Sequence, residues 1–350
     1  MEKNRPSKRS IETVRLNCYL CGSSENVLVA SGVDREYYTT DDVFHVVECS
    51  KCGLGFLNPR PTVAELDTIY PPDYYSYNMD ADPADLGLAL QLRHKVHGRR
   101  IRSLLSHLDN RPQIDLLDVG CGDGWMLYLF KLADPKRIRT FGVDINEKVC
   151  AAARSRGHTV HCGLFEDVEF DQQFDVINLS NVIEHVTDPV GVVKKAYASL
   201  RSGGILILET PNNQSWDARR FSEGAWGSYH IPRHFTFFNP STIRKLGAAA
   251  GFDMVEVRYT PAPTQWVWTL HNVLLGSASG IGRRLAPIFE PRDCFASGLK
   301  PLVLLSSLAV FDWLGLKITG QTSNMTVVFQ KTGEAISAGV PAQADNRVAA

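Results

Sequence analysis

The chain has almost no excess charge: 37 Lys and Arg stand against 38 Asp and Glu, a formal net of −1 over 350 residues. Without a charge of one sign there is no global electrostatic case for nucleic acid or membrane, so any such case must be local. The opening MEKNRPSKRSIETVR is basic and polar and lacks the apolar core of a signal peptide. No segment reaches the run of about 18 uninterrupted apolar residues expected of a membrane span. The nearest, PLVLLSSLAVFDWLGL at Pro301–Leu316, is interrupted by Asp312. A disulfide framework is missing too. Of eight cysteines, four form two tight pairs near the start and four stand alone, a pattern that fits a reducing compartment and a metal site. The expected location is therefore cytoplasmic. There is no internal repeat. What remains is ordinary globular composition, 44% hydrophobic and 21% charged, enough for a sizeable core.

Hydrophobic patterning divides the chain. Residues 1–15 read as a disordered basic tail, 16–60 as a Cys-paired module, and 61–110 as a linker ending in a basic lid helix. From Ile114 apolar strands alternate with helices: IDLLDVG, RTFGVDI, TVHCG, FDVINLS, GILILETPN and DMVEVRYT are strands, and NMTVVFQK closes the series. Such alternation predicts a parallel sheet covered on both faces. The fold class is α/β, a Rossmann-like doubly wound sheet of seven strands over 111–332. An apolar helical insertion at 261–322 precedes the last strand, far longer than the usual connection of about 4–6 residues. The tail 333–350 reads as disordered.

Gly120, Gly122 and Gly124 follow the first of these strands and open a helix. In an open α/β sheet, ligands bind at this carboxyl edge. The dinucleotide fingerprint G-x-G-x-x-G places its third glycine where Trp125 stands. Asp118 and Asp123 flank the turn and disfavour a phosphate at the helix start. Asp144 ends the second strand, the place for a carboxylate that accepts ribose hydroxyls. A cofactor with adenine, ribose and a cationic end suits this set, and S-adenosylmethionine is such a molecule.

At this point the sequence resembles the class I S-adenosylmethionine-dependent methyltransferases. The resemblance rests on LLDVGCGDG, GVDI, FDVINLSNVIEHVTDP, LRSGGILILETPN and LGAAAGF, in order from Ile114 to about Thr260. It implies that Asp118, Gly120 and Gly122 line the methionine part, with Gly124 completing the turn. It implies Asp144 on the ribose, Ile145 against the adenine, Phe165 and Glu166 flanking the adenine, and Ser180 and Asn181 facing the methyl group. Leu164 stands where the family often has an acid.

CYLCG and CSKCG place Cys18, Cys21, Cys49 and Cys52 in two C-x-x-C-G turns, a set for one tetrahedral structural zinc. The stretch ECSKCGLGFLNPRPTVAEL…YPPDYYSY before a class I domain is similar to a bacterial methyltransferase subgroup with an N-terminal zinc-binding region. That resemblance implies acceptors among nucleotide-linked sugars, polysaccharide precursors and natural products. Within YPPDYYSY, Tyr75 is a candidate cap for cofactor and substrate.

His185, His230 and His234 are candidate general bases, because they follow the fourth and fifth strands and histidine titrates near neutrality. Arg233 is a candidate for a substrate anion, and Trp226 and Phe237 are pocket wall or core. A rival reading is metal-assisted 2′-O-methylation of RNA, which uses Glu-x-x-Glu-His. Here Glu184 and His185 are kept but Asn181 replaces the first acid, so nucleic acid is not the expected partner. A second rival is an interaction protein with a vestigial cofactor site. The insertion carries Trp266, Trp268, Leu302, Leu305, Leu308, Phe311 and Trp313. Three surfaces suit it: the domain itself, a second copy in a homodimer, or the inner face of a membrane as a peripheral contact.

Overall fold

The computed structural model describes residues 9–71, 74, 88–108, 111–295 and 298–332. The expected disorder at 1–8 and 333–350, and the candidate Tyr75, lie outside these residues. The N-terminal part contains β1 (Thr13–Val14), β2 (Asn26–Gly32), β3 (Phe44–Cys49), β4 (Gly55–Leu57), β5 (Arg60–Pro61) and a short α1 (Leu66–Ile69). Residues 9–15 are not the unstructured tail expected: β1 pairs antiparallel with β5, and Arg9 bonds the buried Glu65 at 2.5 Å.

The remainder runs α2 (Leu88–Leu105), β6 (Ile114–Val119), α3 (Trp125–Ala133), β7 (Ile138–Asp144), α4 (Glu147–Ser155), β8 (Thr159–Cys162), β9 (Phe174–Ser180), α5 (Pro189–Ser199) and β10 (Leu200–Pro211). It continues with α6 (Trp216–Arg220), β11 (Thr236–Phe237), α7 (Pro240–Ala249), β12 (Phe252–Thr260), α8 (Pro263–Gly276), α9 (Gly280–Leu285), α10 (Leu299–Thr319) and β13 (Asn324–Lys331). The large sheet has seven strands in the order β12-β13-β10-β9-β6-β7-β8. β6, β7, β8, β9 and β10 are parallel, while β13 runs antiparallel to β10 and β12.

The period of two along each strand divides the core. Leu117, Ile177, Leu206 and Leu208 point to one face, and Leu116, Val176, Ile205 and Ile207 to the other. Both faces are packed, so β6 is buried at every position. This is why its sequence reads as a continuous apolar run rather than an alternation.

Two expected boundaries need correction. The basic helix is no solvated lid at its C-terminal end: Ile101, Leu104 and Leu105 of α2 are buried with Phe130 and Ile114, and Arg100 bonds Glu209 at 2.5 Å. The side chains of Leu92 and Val96 fall outside the description. Nor is 16–60 a separate module. β11, from the long loop after β10, pairs with β4 and extends the four-stranded sheet β11-β4-β3-β2. Cys18, Cys49, Leu54 and Phe56 share one core with Leu179, Leu208 and Phe238. A head this small cannot bury enough surface alone, and it borrows the sheet domain's.

Candidate active site

The loop after β6 turns through Gly120, Gly122 and Gly124, all with positive φ (69°, 52° and 88°). At Gly120 a Cβ would come within 2.7 Å of Val182 Cγ2, so this glycine lets the loop after β9 lie across the glycine loop. At Gly122 no atom lies within 4 Å of such a Cβ, and the loop faces open space there. The Gly122 amide donates to Asp144 Oδ2 at 2.9 Å and the Asn146 amide to Oδ1 at 3.0 Å. Burial raises the Asp144 carboxyl above its usual range, against these bonds.

Asp118 is fully buried. Burial pushes its carboxyl up to about 7, the Asn178 amide bond at 2.7 Å opposes this, and Asp144 adds to it. A buried and a half-buried carboxylate beside an open glycine turn form a site short of positive charge. Asp123, by contrast, is paired with Arg156 at 2.5 Å, so its charge is already met inside the protein.

Ile145 is 56% exposed and Leu164 is 50% exposed. The Gly163 amide donates to the Asp144 carbonyl at 2.8 Å, which lays the loop after β8 beside the end of β7. The apolar Leu164 is the residue the loop offers to a base at this edge. Phe165 is not: it is buried in the core beside Phe170, and its place as an adenine flank is withdrawn. Glu166 is partly buried, and burial raises its carboxyl. Ser180 bonds Asn178 at 3.2 Å. Asn181 is exposed, in the left-handed region at φ 53°.

The three histidines converge. Ring centroids are 4.5 Å apart for His185–His234, 4.9 Å for His230–His234 and 6.1 Å for His185–His230. His185 Nδ1 lies 2.8 Å from the Tyr70 hydroxyl, and burial, then His230, depresses its imidazole to about 3. His234 is buried with Nδ1 on the Ser228 carbonyl at 2.8 Å, and burial holds it neutral. His230 differs. Its Nδ1 contacts Glu36 Oε2 at 2.7 Å, and its buried Nε2 has no partner among the described residues. His230 and Glu36 line a cleft with Arg35, Tyr229, Trp268 and Asn272.

Glu36 and Tyr70 had no motif to announce them, because each reaches the site from the N-terminal part. The only signal is for Tyr70, which heads YPPDYYSY. Arg233 is not a substrate anchor: it is fully buried, bonded to both Asp34 oxygens at 3.1 and 2.8 Å and to the Ile69 carbonyl at 2.7 Å. Trp226 and Phe237 are core, at 1% and 2% exposed.

Among the described residues three groups of side chains could hold a metal, one of them Glu147, Cys150 and Cys162 beside the end of β7. The sulfurs of Cys18, Cys21, Cys49 and Cys52 all lie within 4.8 Å of one another, with 3.3 Å for Cys18–Cys52 and 3.5 Å for Cys21–Cys49. Each C-x-x-C ends in a left-handed glycine, Gly22 or Gly53, whose amide donates to the carbonyl of the first cysteine. Glu184, His185 and His234 also approach within 4.8 Å. Glu184 accepts from Thr210 at 3.0 Å, and burial pushes its carboxyl up to about 8.

Residues 92–257 match a family described as a methyltransferase domain. A ubiquinone biosynthesis O-methyltransferase of Idiomarina loihiensis is 28% identical over 180 residues, 47% of this chain and 72% of the relative. A probable S-adenosylmethionine-dependent methyltransferase of Mycolicibacterium smegmatis is 33% identical over 145 residues, 41% of this chain and 53% of the relative. A malonyl-[acyl-carrier protein] O-methyltransferase of Acetivibrio thermocellus is 29% identical over 196 residues, 51% and 69% of the two chains. The glycine turn, the carboxylates of Asp118 and Asp144 and these relatives agree: over residues 92–257 the chain carries an S-adenosylmethionine-dependent methyltransferase domain of class I.

Proposed function

We propose that the protein transfers a methyl group to a hydroxyl of a small sugar-like acceptor, such as a nucleotide sugar or polysaccharide precursor. The observation that carries this reading is His230. One ring nitrogen lies 2.7 Å from the Glu36 carboxylate, and the other is buried without a hydrogen-bond partner among the described residues, on a side chain that lines the cleft. That is the arrangement of an oriented general base. Tyr229, Trp268, Arg35 and Asn272 give the cleft the aromatic and polar lining a sugar ring uses. Two relatives named O-methyltransferases support oxygen as the nucleophile.

When bound, the cofactor supplies an electrophilic methyl on a sulfonium. Asp118 and Asp144 hold its cationic and ribose ends, and Ile145 and Leu164 offer apolar contact to the base. His230 Nε2 would take the acceptor hydroxyl's proton, and the Glu36 carboxylate beside Nδ1 would stabilise the imidazolium. His185 and His234, held neutral by burial, position the pocket. The cytoplasm is the expected site of this reaction.

The four cysteines fit a structural zinc. Zn–S bonds of about 2.3 Å in a tetrahedron put sulfurs about 3.8 Å apart, close to the spacing found here. Glu184, His185 and His234 offer a second reading, metal-assisted RNA methylation. The basic helix gives it little support, since Arg100 is bonded to Glu209 and Arg102 to the Ala133 carbonyl.

The test is His230→Asn and Glu36→Gln assayed over a panel of nucleotide sugars. Expected is a loss of turnover of about 10²-fold or more for His230→Asn, the scale of general-base catalysis, with cofactor affinity kept. Full turnover in His230→Asn would remove the base assignment. Methylation of RNA but of no sugar would remove the acceptor.

A further inference from the structure

We infer that the outer face of α10, with α9, is a docking surface for a bilayer containing anionic lipid. The helix is 21 residues of LKPLVLLSSLAVFDWLGLKIT, and only Asp312 is buried. Length and composition would let it cross a membrane. Its packing says otherwise. Asp312 accepts from the Ala262 amide at 2.7 Å and from Trp266 Nε1 at 3.0 Å, and Phe311 meets Trp266 at 5.0 Å between centroids. These contacts fasten one side of α10 along α8, so the helix lies against the protein and does not span.

The opposite side is what needs a partner. Leu302, Val303, Val310, Trp313, Leu314 and Ile318 are between 48% and 84% exposed. A soluble protein's surface helix carries polar residues on that side. On α9 and just after it, Ile281, Leu285 and Ile288 add exposed apolar surface at 69%, 43% and 47%. An exposed apolar helix face of this kind marks an interaction site.

Charge selects the occupant. Residues 261–322 hold five cations and three acids, whereas the whole chain is at −1. Among the acids Asp312 is buried and Asp293 is paired with Lys300 at 2.7 Å. Arg283 and Arg284 end α9 on the exposed side, and Lys317 lies over the Trp313 ring at 5.4 Å. Tryptophan and lysine side by side at the edge of an apolar face suit the headgroup boundary. A two-fold contact between copies would set these cations against their own kind. Phosphatidylglycerol headgroups would neutralise them. α8 ties this surface to the catalytic cleft, since Trp268 and Asn272 line it beside His230. The docking surface does not depend on the sugar acceptor.

The test is flotation of the full chain with phosphatidylcholine vesicles in which about a third of the lipid is phosphatidylglycerol. The expected result is co-flotation that falls at least about fivefold with pure phosphatidylcholine or at high salt. Val310→Glu with Leu314→Glu should abolish it while calorimetry finds cofactor affinity unchanged, which shows the variant folded. Three results would overturn the inference. The chain could remain in the aqueous fraction with anionic vesicles, or the double variant could float as well as the parent. Sedimentation could also find a dimer that Val310→Glu splits, with no vesicle binding.

Discussion

Asp118 and its glycine loop are where the proposed cofactor site is tested residue by residue. With its carboxyl near 7, Asp118 is about half protonated at neutral pH in the free protein. A cationic cofactor end beside it lowers that value. Binding therefore releases part of a proton near pH 7. Affinity should rise with pH up to about 7 and level off above, where the group is already ionised. Calorimetry in buffers of different ionisation enthalpy measures the proton, and a buffer-independent enthalpy at pH 7 would count against Asp118 as the cofactor's partner. The two glycines separate fold from binding. Gly120→Ala meets Val182 and should lower the melting temperature. Gly122→Ala meets nothing among the described residues, so beyond the left-handed strain of about 1–2 kcal/mol its effect should appear as weakened cofactor binding. An unchanged affinity in Gly122→Ala would mean that the cofactor does not cover this turn.

The β11 segment shows how an element is held by groups its own sequence does not reveal. The loop 212–238 is anchored near its C-terminal end: the Phe235 amide donates to the Glu184 carbonyl at 2.7 Å, and Arg233 is sealed against Asp34. Burial would raise Asp34, yet Arg233 and Thr39 hold it well below the usual carboxylate range. Asp34→Ala leaves a guanidinium buried without its partner, and about 3–5 kcal/mol of stability should be lost. Urea unfolding followed by tryptophan fluorescence reads this loss directly. A loss under about 1 kcal/mol would show that water reaches Arg233.

At the scale of the whole molecule, the head and the sheet domain work as one body. The head supplies Glu36 to His230, and the linker after it supplies Tyr70 to His185. Removing metal from Cys18, Cys21, Cys49 and Cys52 should therefore do more than loosen a separate module. Chelation, or Cys49→Ser, should lower the melting temperature and turnover together and leave the cofactor turn able to bind. Metal analysis should find about one zinc per chain. Turnover that survives complete loss of the head's metal would detach the head from catalysis.

The sequence by itself determined the sheet, the glycine turn and the paired cysteines. Each is written in local signals: apolar runs for strands buried on both faces, positive-φ glycines, and two thiols at C-x-x-C spacing. Asp118, Gly120, Gly122 and Asp144 belong to one strand–turn–helix and the next strand end, so their meeting was legible. The tertiary structure alone decided which polar residues act and which only pack. Arg233 and His230 lie three positions apart on one loop, yet one is sealed against Asp34 while the other lines a cleft with a ring nitrogen that has no partner among the described residues. Phe165 went into the core, and Leu164 beside it stayed exposed. Neither difference leaves a periodic trace: Arg233 is met by Asp34, 199 residues away, and His230 by Glu36 beside it. The same holds for α10, whose composition suggests a core helix or a span. Only the packing of Asp312 on α8 fixed which side meets the protein and left the other apolar side uncovered.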